Sequence, residues 1–248
     1  MLNELFAPIA FERDDKQGFF AKVNCSYSEQ TSAYLFTCQF NIENYHIDLY
    51  RQFNIHLPEH IQRSVKKRQA EFLAGRYAAN VVLSQLGFHS YIIRSGKNRE
   101  PQWPKGITAS ISHTDSHAMC IAALSSNIRF LGIDIEHWLS KETALQIDQS
   151  IITEAEKKTL SMQPLSHKQL VTLAFSSKEA LFKAIYPDVN TYLDFNTSVI
   201  NHISGQCISL NLVLPNEIKV QGLSAINFNC SYFIYNTYVA CLILMPFE

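Results

Sequence analysis

Apolar residues recur at helical spacing from Pro58 to Leu86 (PEHIQRSVKKRQAEFLAGRYAANVVLSQL). The spacing predicts a helix there, with Pro58 near its start and Gly87 just past its end. Residues 107–124 (ITASISHTDSHAMCIAAL) predict two short strands around a polar His-Thr-Asp-Ser-His turn. Leu131 to Glu136, within LGIDIEHW, reads as a β-branched strand, and residues 226–246 read as a hairpin of strands. Residues 153–186 predict two helices. The first opens on a capping-box pair, Thr153 with Glu156, and the second is stopped by Pro187.

A faint internal echo accompanies this order. HAMCIAAL (117–124) resembles TYVACLIL (237–244), and RQAEFLAGRYA (68–78) resembles SSKEALFKAI (176–185), with Glu71 opposite Glu179. The expected fold is therefore α+β: two similar halves related by pseudo-twofold symmetry, each a helix packed on a small antiparallel sheet, with the active site in the cleft separating them. The boundary is expected near residue 130, giving halves 1–130 and 131–248.

Three groups of residues offer chemistry. Along a strand successive side chains alternate, so Asp134 and Glu136 share one face while Ile133 and Ile135 share the other. Two neighbouring carboxylates repel, and a bound divalent cation relieves the repulsion; oxygen ligands favour Mg²⁺ or Mn²⁺ over zinc. The plain alternative is an amphipathic edge strand with solvated acids. Glu179 and Lys183 are i and i+4 on a helix, hence on one face, which is either a surface ion pair or part of a phosphoryl-transfer site. In the second case the carboxylate takes a proton and the ammonium stabilises charge on the phosphate.

The third group is basic. Residues 63–105 hold nine Lys and Arg against two acids, Glu71 and Glu100, in a chain whose net charge is -1. Arg68 and Arg76 lie two turns apart on the predicted helix. A local excess of seven in a near-neutral chain suits a multiply phosphorylated small molecule better than a nucleic acid, and a solvated face is the alternative. His113 and His117 flank Asp115 in a turn, a poor setting for zinc. Ser112 and His113 are better placed to donate to a phosphate.

Composition narrows the class. The chain has 248 residues, 47% apolar and 17% charged, enough for a sizeable core and too apolar for wholesale disorder. Six cysteines, at 25, 38, 120, 207, 230 and 241, include no CxxC pair and read as buried hydrophobes in a reducing compartment. The start, MLNELFAPIAFERDD, has no basic n-region, and the most apolar run, Tyr238 to Phe247, is ten residues, half of a membrane span. These features predict a cytoplasmic protein with no membrane span.

Taken in order, RQAEFLAGRYAA (68–79), REPQWP (99–104), ISHTD (111–115), LGIDIE (131–136) and FSSKEALFKAIYP (175–187) resemble the 4′-phosphopantetheinyl transferase superfamily, in its long surfactin/enterobactin form. The resemblance implies Mg²⁺-dependent transfer of phosphopantetheine from coenzyme A to a serine of an acyl, peptidyl or aryl carrier protein. It implies Asp134, Glu136 and Glu179 as metal ligands and Glu179 and Lys183 as catalytic groups, with a metal-held water as the alternative base. It also implies Arg68, Arg76, Arg99, Ser112 and His113 as the coenzyme A phosphate pocket, a siderophore pathway and a monomer that binds no nucleic acid. Phe175 stands where the family often has Trp, and GKNREP leaves Lys97 and Arg99 as alternatives for one basic contact. A Mg²⁺-dependent nuclease and a non-catalytic carrier- or coenzyme A-binding module are the rival classes.

Overall fold

A computed structural model describes residues 2–11, 18–215, 217–218, 223 and 226–247. Residues 12–15, within the N-terminal stretch considered above for a leader, lie outside the described residues. The chain divides into an N-terminal unit, Met1–Arg129 with Pro246–Glu248, and a C-terminal unit, Phe130–Met245.

The N-terminal unit runs α1 (Leu2–Leu5), β1 (Ala7–Ile9), β2 (Phe20–Ser28), β3 (Ala33–Phe40), α2 (Leu49–Gln52), α3 (Glu59–Gln62), α4 (Lys66–Gln85), β4 (Ile107–His113) and β5 (His117–Leu124). Its sheet has the order β1-β2-β3-β5-β4, antiparallel throughout. Register pairs Phe36 with Cys120 and Ile111 with Cys120, so β5 lies between β3 and β4 and is buried along most of its length. The long helix α4 covers this sheet through Leu73, Ala74, Ala78 and Val82, all fully buried beside Phe20 and Phe36.

The single helix expected over 58–86 is two. Ser64 Oγ donates to the Ile61 carbonyl, and the Gln69 amide donates to the carbonyls of Gln62 and Ser64. These side chains satisfy the end of α3, and the chain restarts as α4 after an extended Val65. The far end behaves as expected, with Gly87 at φ +89° just beyond the helix.

The C-terminal unit runs β6 (Ile128–His137), α5 (Lys141–Ile151), α6 (Glu154–Leu160), α7 (His167–Val189), β7 (Ser198–Ser204), β8 (Cys207–Leu212), β9 (Asn227–Ile234) and β10 (Tyr238–Pro246). Its sheet has the order β6-β10-β9-β8-β7. Helix α7 packs on it around Phe130, Leu173, Leu181, Leu210 and Phe228. Thr153 and Glu156 form the expected capping box at the start of α6. Pro187 does not stop α7. It lies in the last turn, where its missing N–H forfeits a single backbone bond, and the helix ends at Asn190 in the left-handed conformation, φ +48°.

Each half is thus α+β, and the sequence echo falls on equivalent elements. In the first, β3 leads through α4 to the β4–β5 hairpin, and β5 returns beside β3. In the second, β6 leads through α7 to the β9–β10 hairpin, and β10 returns beside β6. HAMCIAAL is β5 and TYVACLIL is nearly all of β10.

Candidate active site

The C-terminal unit gathers the acids. Gly132, Asp134 and Glu136 alternate with Ile133 and Ile135 along β6, and the two isoleucines are buried. Gly132 marks where α7 crosses the strand. A Cβ there would lie 2.0 Å from the Ala180 carbonyl oxygen and 2.8 Å from the Ala184 nitrogen. The missing side chain lets helix backbone rest directly on strand backbone. Glu179 and Lys183 each immediately precede one of those contact points and so arrive beside Asp134. Lys183 Nζ donates to Asp134 Oδ1 at 2.6 Å, and the aspartate is 2% exposed.

Electrostatics ties these four groups together. Burial, then the charges of Asp134 and Glu179, pushes the Glu136 carboxyl up to about 8 against the pull of Lys183. Burial also raises Glu179, with Lys183 opposing and Asp134 adding to the shift. Three carboxylates face one ammonium, so the cluster is short of positive charge. The donor set fits a hard divalent cation in kind, being all oxygen. It is not closed around one: no three His, Cys, Asp or Glu side chains among the described residues converge as a metal cage, and Lys183 occupies Asp134. Beside Glu179, a shallow cleft with about 20 Å³ of open space, little more than room for a water, is lined by Phe182, Ile185, Tyr192, Leu193 and Phe195.

The N-terminal unit gathers the bases. Gly75 on α4 lies close to β4, its Cβ position 3.2 Å from Ile111 and 3.5 Å from His113. One helical turn or two away, Arg68 Nη1 lies 3.4 Å from His113 Nε2 and 3.8 Å from a Glu71 carboxylate oxygen. Lys67 lies within 4 Å of both Glu71 and Asp115. Ser112 is buried on β4 next to His113. Arg76 is 8% exposed, its guanidinium 4.7 Å above the Phe72 ring and donating to Ser95 Oγ at 3.3 Å. Burial lowers it to about 10, which leaves it charged at neutral pH. Its Nε has no hydrogen-bond partner among the described residues. Arg76 also lines a pocket with Asn80, Tyr91 and Ile93.

Arg99 stands apart from this group. It is exposed in a turn at φ +68°, and the turn is closed by the Ser95–Pro101 bridge. Lys97 is exposed in the same turn. The link from this turn to α4 is Ser95, through Arg76, and Ser95 was not singled out in the sequence. Two further residues were missed. Gly132 carried no sequence signal without knowledge of what crosses it. Lys178 did carry one: it keeps step with Val171, Ala174, Leu181 and Ile185, all buried, and so lies on the apolar stripe of α7.

The family model of the 4′-phosphopantetheinyl transferase N-terminal domain matches residues 57–123, and that of the 4′-phosphopantetheinyl transferase superfamily matches residues 130–241. The chain belongs to the 4′-phosphopantetheinyl transferase superfamily. Among individual proteins it is similar to enterobactin synthase component D of Escherichia coli (strain K12), with 38% identity over 168 residues, 64% of this chain and 79% of that protein. The Salmonella typhimurium protein of the same name is 36% identical over 159 residues, 63% of this chain. The match spans 65% of that relative's length. The 4′-phosphopantetheinyl transferase Npt of Nocardia iowensis is 31% identical over 165 residues, 65% of this chain and 72% of that protein.

Proposed function

We propose that the chain transfers 4′-phosphopantetheine from coenzyme A to a serine hydroxyl of an apo carrier protein, releasing adenosine 3′,5′-bisphosphate. The observation that carries this reading is the convergence of Glu179 and Lys183, from one helix, on Asp134 and Glu136, from one strand.

Asp134, Glu136 and Glu179 would hold Mg²⁺, or Mn²⁺ in its place. When bound, the ion supplies positive charge to the pyrophosphate oxygens. The remaining work falls to the chain's own groups. Glu179 accepts the proton of the attacking serine, a role suited to a carboxylate that burial makes more basic than usual. Lys183 offsets negative charge as the bond to the leaving nucleotide phosphate breaks. Arg68, Arg76, Ser112 and His113 hold the nucleotide phosphates. Arg76 is suited to this by its charge and its free Nε. Arg99 or Lys97 supplies a further contact from the exposed turn.

The names of the enterobactin relatives support a siderophore pathway, with a peptidyl or aryl carrier protein as partner. All six cysteines are free, in keeping with a cytoplasmic setting, and no helix among the described residues is long and apolar enough to cross a membrane. Both residue groups sit on one chain, which supports a monomer. Incubation with coenzyme A, Mg²⁺ and an apo aryl or peptidyl carrier protein tests the proposal. The carrier should gain one phosphopantetheine by intact mass, with adenosine 3′,5′-bisphosphate appearing in equal amount. Cleavage of DNA without carrier modification would indicate a nuclease, and coenzyme A binding without turnover a binding module.

A further inference from the structure

Helix α7 carries two lysines in the SKEALFK stretch, and they point to different places. Lys183 meets the acids of β6, whereas Lys178 is 2% exposed and enters the core. Its ammonium has three protons to donate, and three acceptors receive them: Glu156 Oε1 at 2.8 Å, the Ile151 carbonyl at 2.8 Å and the Phe195 carbonyl at 3.2 Å. Glu156, 0% exposed, is equally occupied. Its Oε1 also accepts the Ile200 N–H at 2.8 Å, and its Oε2 accepts both the N–H and the hydroxyl of Thr153, each at 2.8 Å.

One ion pair therefore joins the end of α5, the start of α6, the middle of α7, the turn before β7, and β7 itself. Neither charge has capacity left for a ligand, so its role is mechanical. Lys178 immediately precedes Glu179, and adjacent helical residues differ by about 100° in direction. Anchoring Lys178 on the inner side fixes how far α7 is rotated. That rotation sets Ala180 and Ala184 over Gly132, and sets Glu179 and Lys183 beside Asp134.

We propose that the buried Lys178–Glu156 pair is a rotational lock for α7, and that these two positioning residues hold Glu179 and Lys183 in reacting geometry without touching substrate. The proposal rests on the reading above in taking those two groups as the reacting ones.

The test replaces both charges, because removing one alone strands the other in the core. Lys178→Met with Glu156→Gln keeps the volume and leaves an acceptor for Thr153. The lock predicts a folded protein whose KM for coenzyme A stays within about twofold. Its kcat should fall about 10- to 100-fold, as expected for reacting groups displaced by up to an ångström. Hydrogen exchange should accelerate in residues 176–186 and remain as in wild type in β8 to β10. Wild-type kcat and wild-type exchange in the double variant would overturn the proposal. A variant that fails to fold, or loses protection evenly, would make the pair a general determinant of the fold and also overturn it. If wild-type protein modifies no carrier, the transferase reading fails on its own account, and the exchange comparison still decides whether the lock exists.

Discussion

Adding one methyl group at Gly132 should disable the proposed transfer activity without removing any polar group of the site. The Cβ of Gly132→Ala would lie 2.0 Å from the Ala180 carbonyl oxygen, whereas real Cβ atoms essentially never come within 3.0 Å of such an atom. The obstructing atoms belong to helix backbone, so no rotamer change relieves the clash, and α7 has to withdraw by about 1 Å or more. Overpacking of this kind costs about 1–3 kcal/mol, and a chain of this size loses about 2–4 °C of Tm per kcal/mol. The same withdrawal stretches the 2.6 Å contact from Lys183 to Asp134 beyond hydrogen-bonding distance. A misplacement of that size can reduce turnover about 100-fold. Thermal melts and carrier-modification kinetics on Gly132→Ala measure both effects. A variant with wild-type Tm and kcat within twofold of wild type would refute the claim that close approach at Gly132 sets the site.

Other expectations follow from the same geometry. Lys183→Met should lower kcat about 10²–10³-fold, the usual loss for removing one group that stabilises transition-state charge, with little change in KM for coenzyme A; an unchanged kcat would remove the lysine from the reaction. Glu136 ionises near 8 when folded against an ordinary 4.5, so below 4.5 both states are protonated and its contribution is fully present. Unfolding across the window from 4.5 to 8 releases its proton, and stability in chelator should fall as pH rises through that window. Urea titrations should show Glu136→Gln losing part of this pH dependence, and an identical profile would contradict the assignment. Arg76→Ala should weaken coenzyme A about 10- to 100-fold, the value of a hydrogen bond to a charged group, and dephospho-coenzyme A much less. Equal losses for the two ligands would place Arg76 away from the 3′-phosphate.

Much of the fold's local grammar was legible, because it depends on near neighbours. The alternation in GIDIE, the Thr153–Glu156 capping box and the i, i+4 relation of Glu179 to Lys183 all hold. What escaped depends on partners distant in sequence. Nothing in residues 131–136 reveals that a helix some fifty residues later rests on Gly132. The break at 63–65 escaped because polar side chains there outcompete the helical pattern, and Pro187 was overrated because the loss of one backbone bond three residues from the cap does not end α7. The strands β1–β3, β7 and β8 and the helix α5 carried weaker local patterns, and their places are set by sheet pairing and burial. Glu156 illustrates both sides: its cap was readable, but its ion pair with Lys178 was not.

Transfer itself is measured by comparing wild type with Glu179→Gln on one apo aryl or peptidyl carrier protein, with coenzyme A and Mg²⁺, by intact mass over time. Wild type should convert the carrier completely. Glu179→Gln should convert a negligible fraction at every pH tested, with thermal melts of the two proteins alike. Wild type that leaves several carriers unmodified where another transferase of the family converts them would rule out the transfer, and a Glu179→Gln variant that matches wild type would rule out Glu179 as its base.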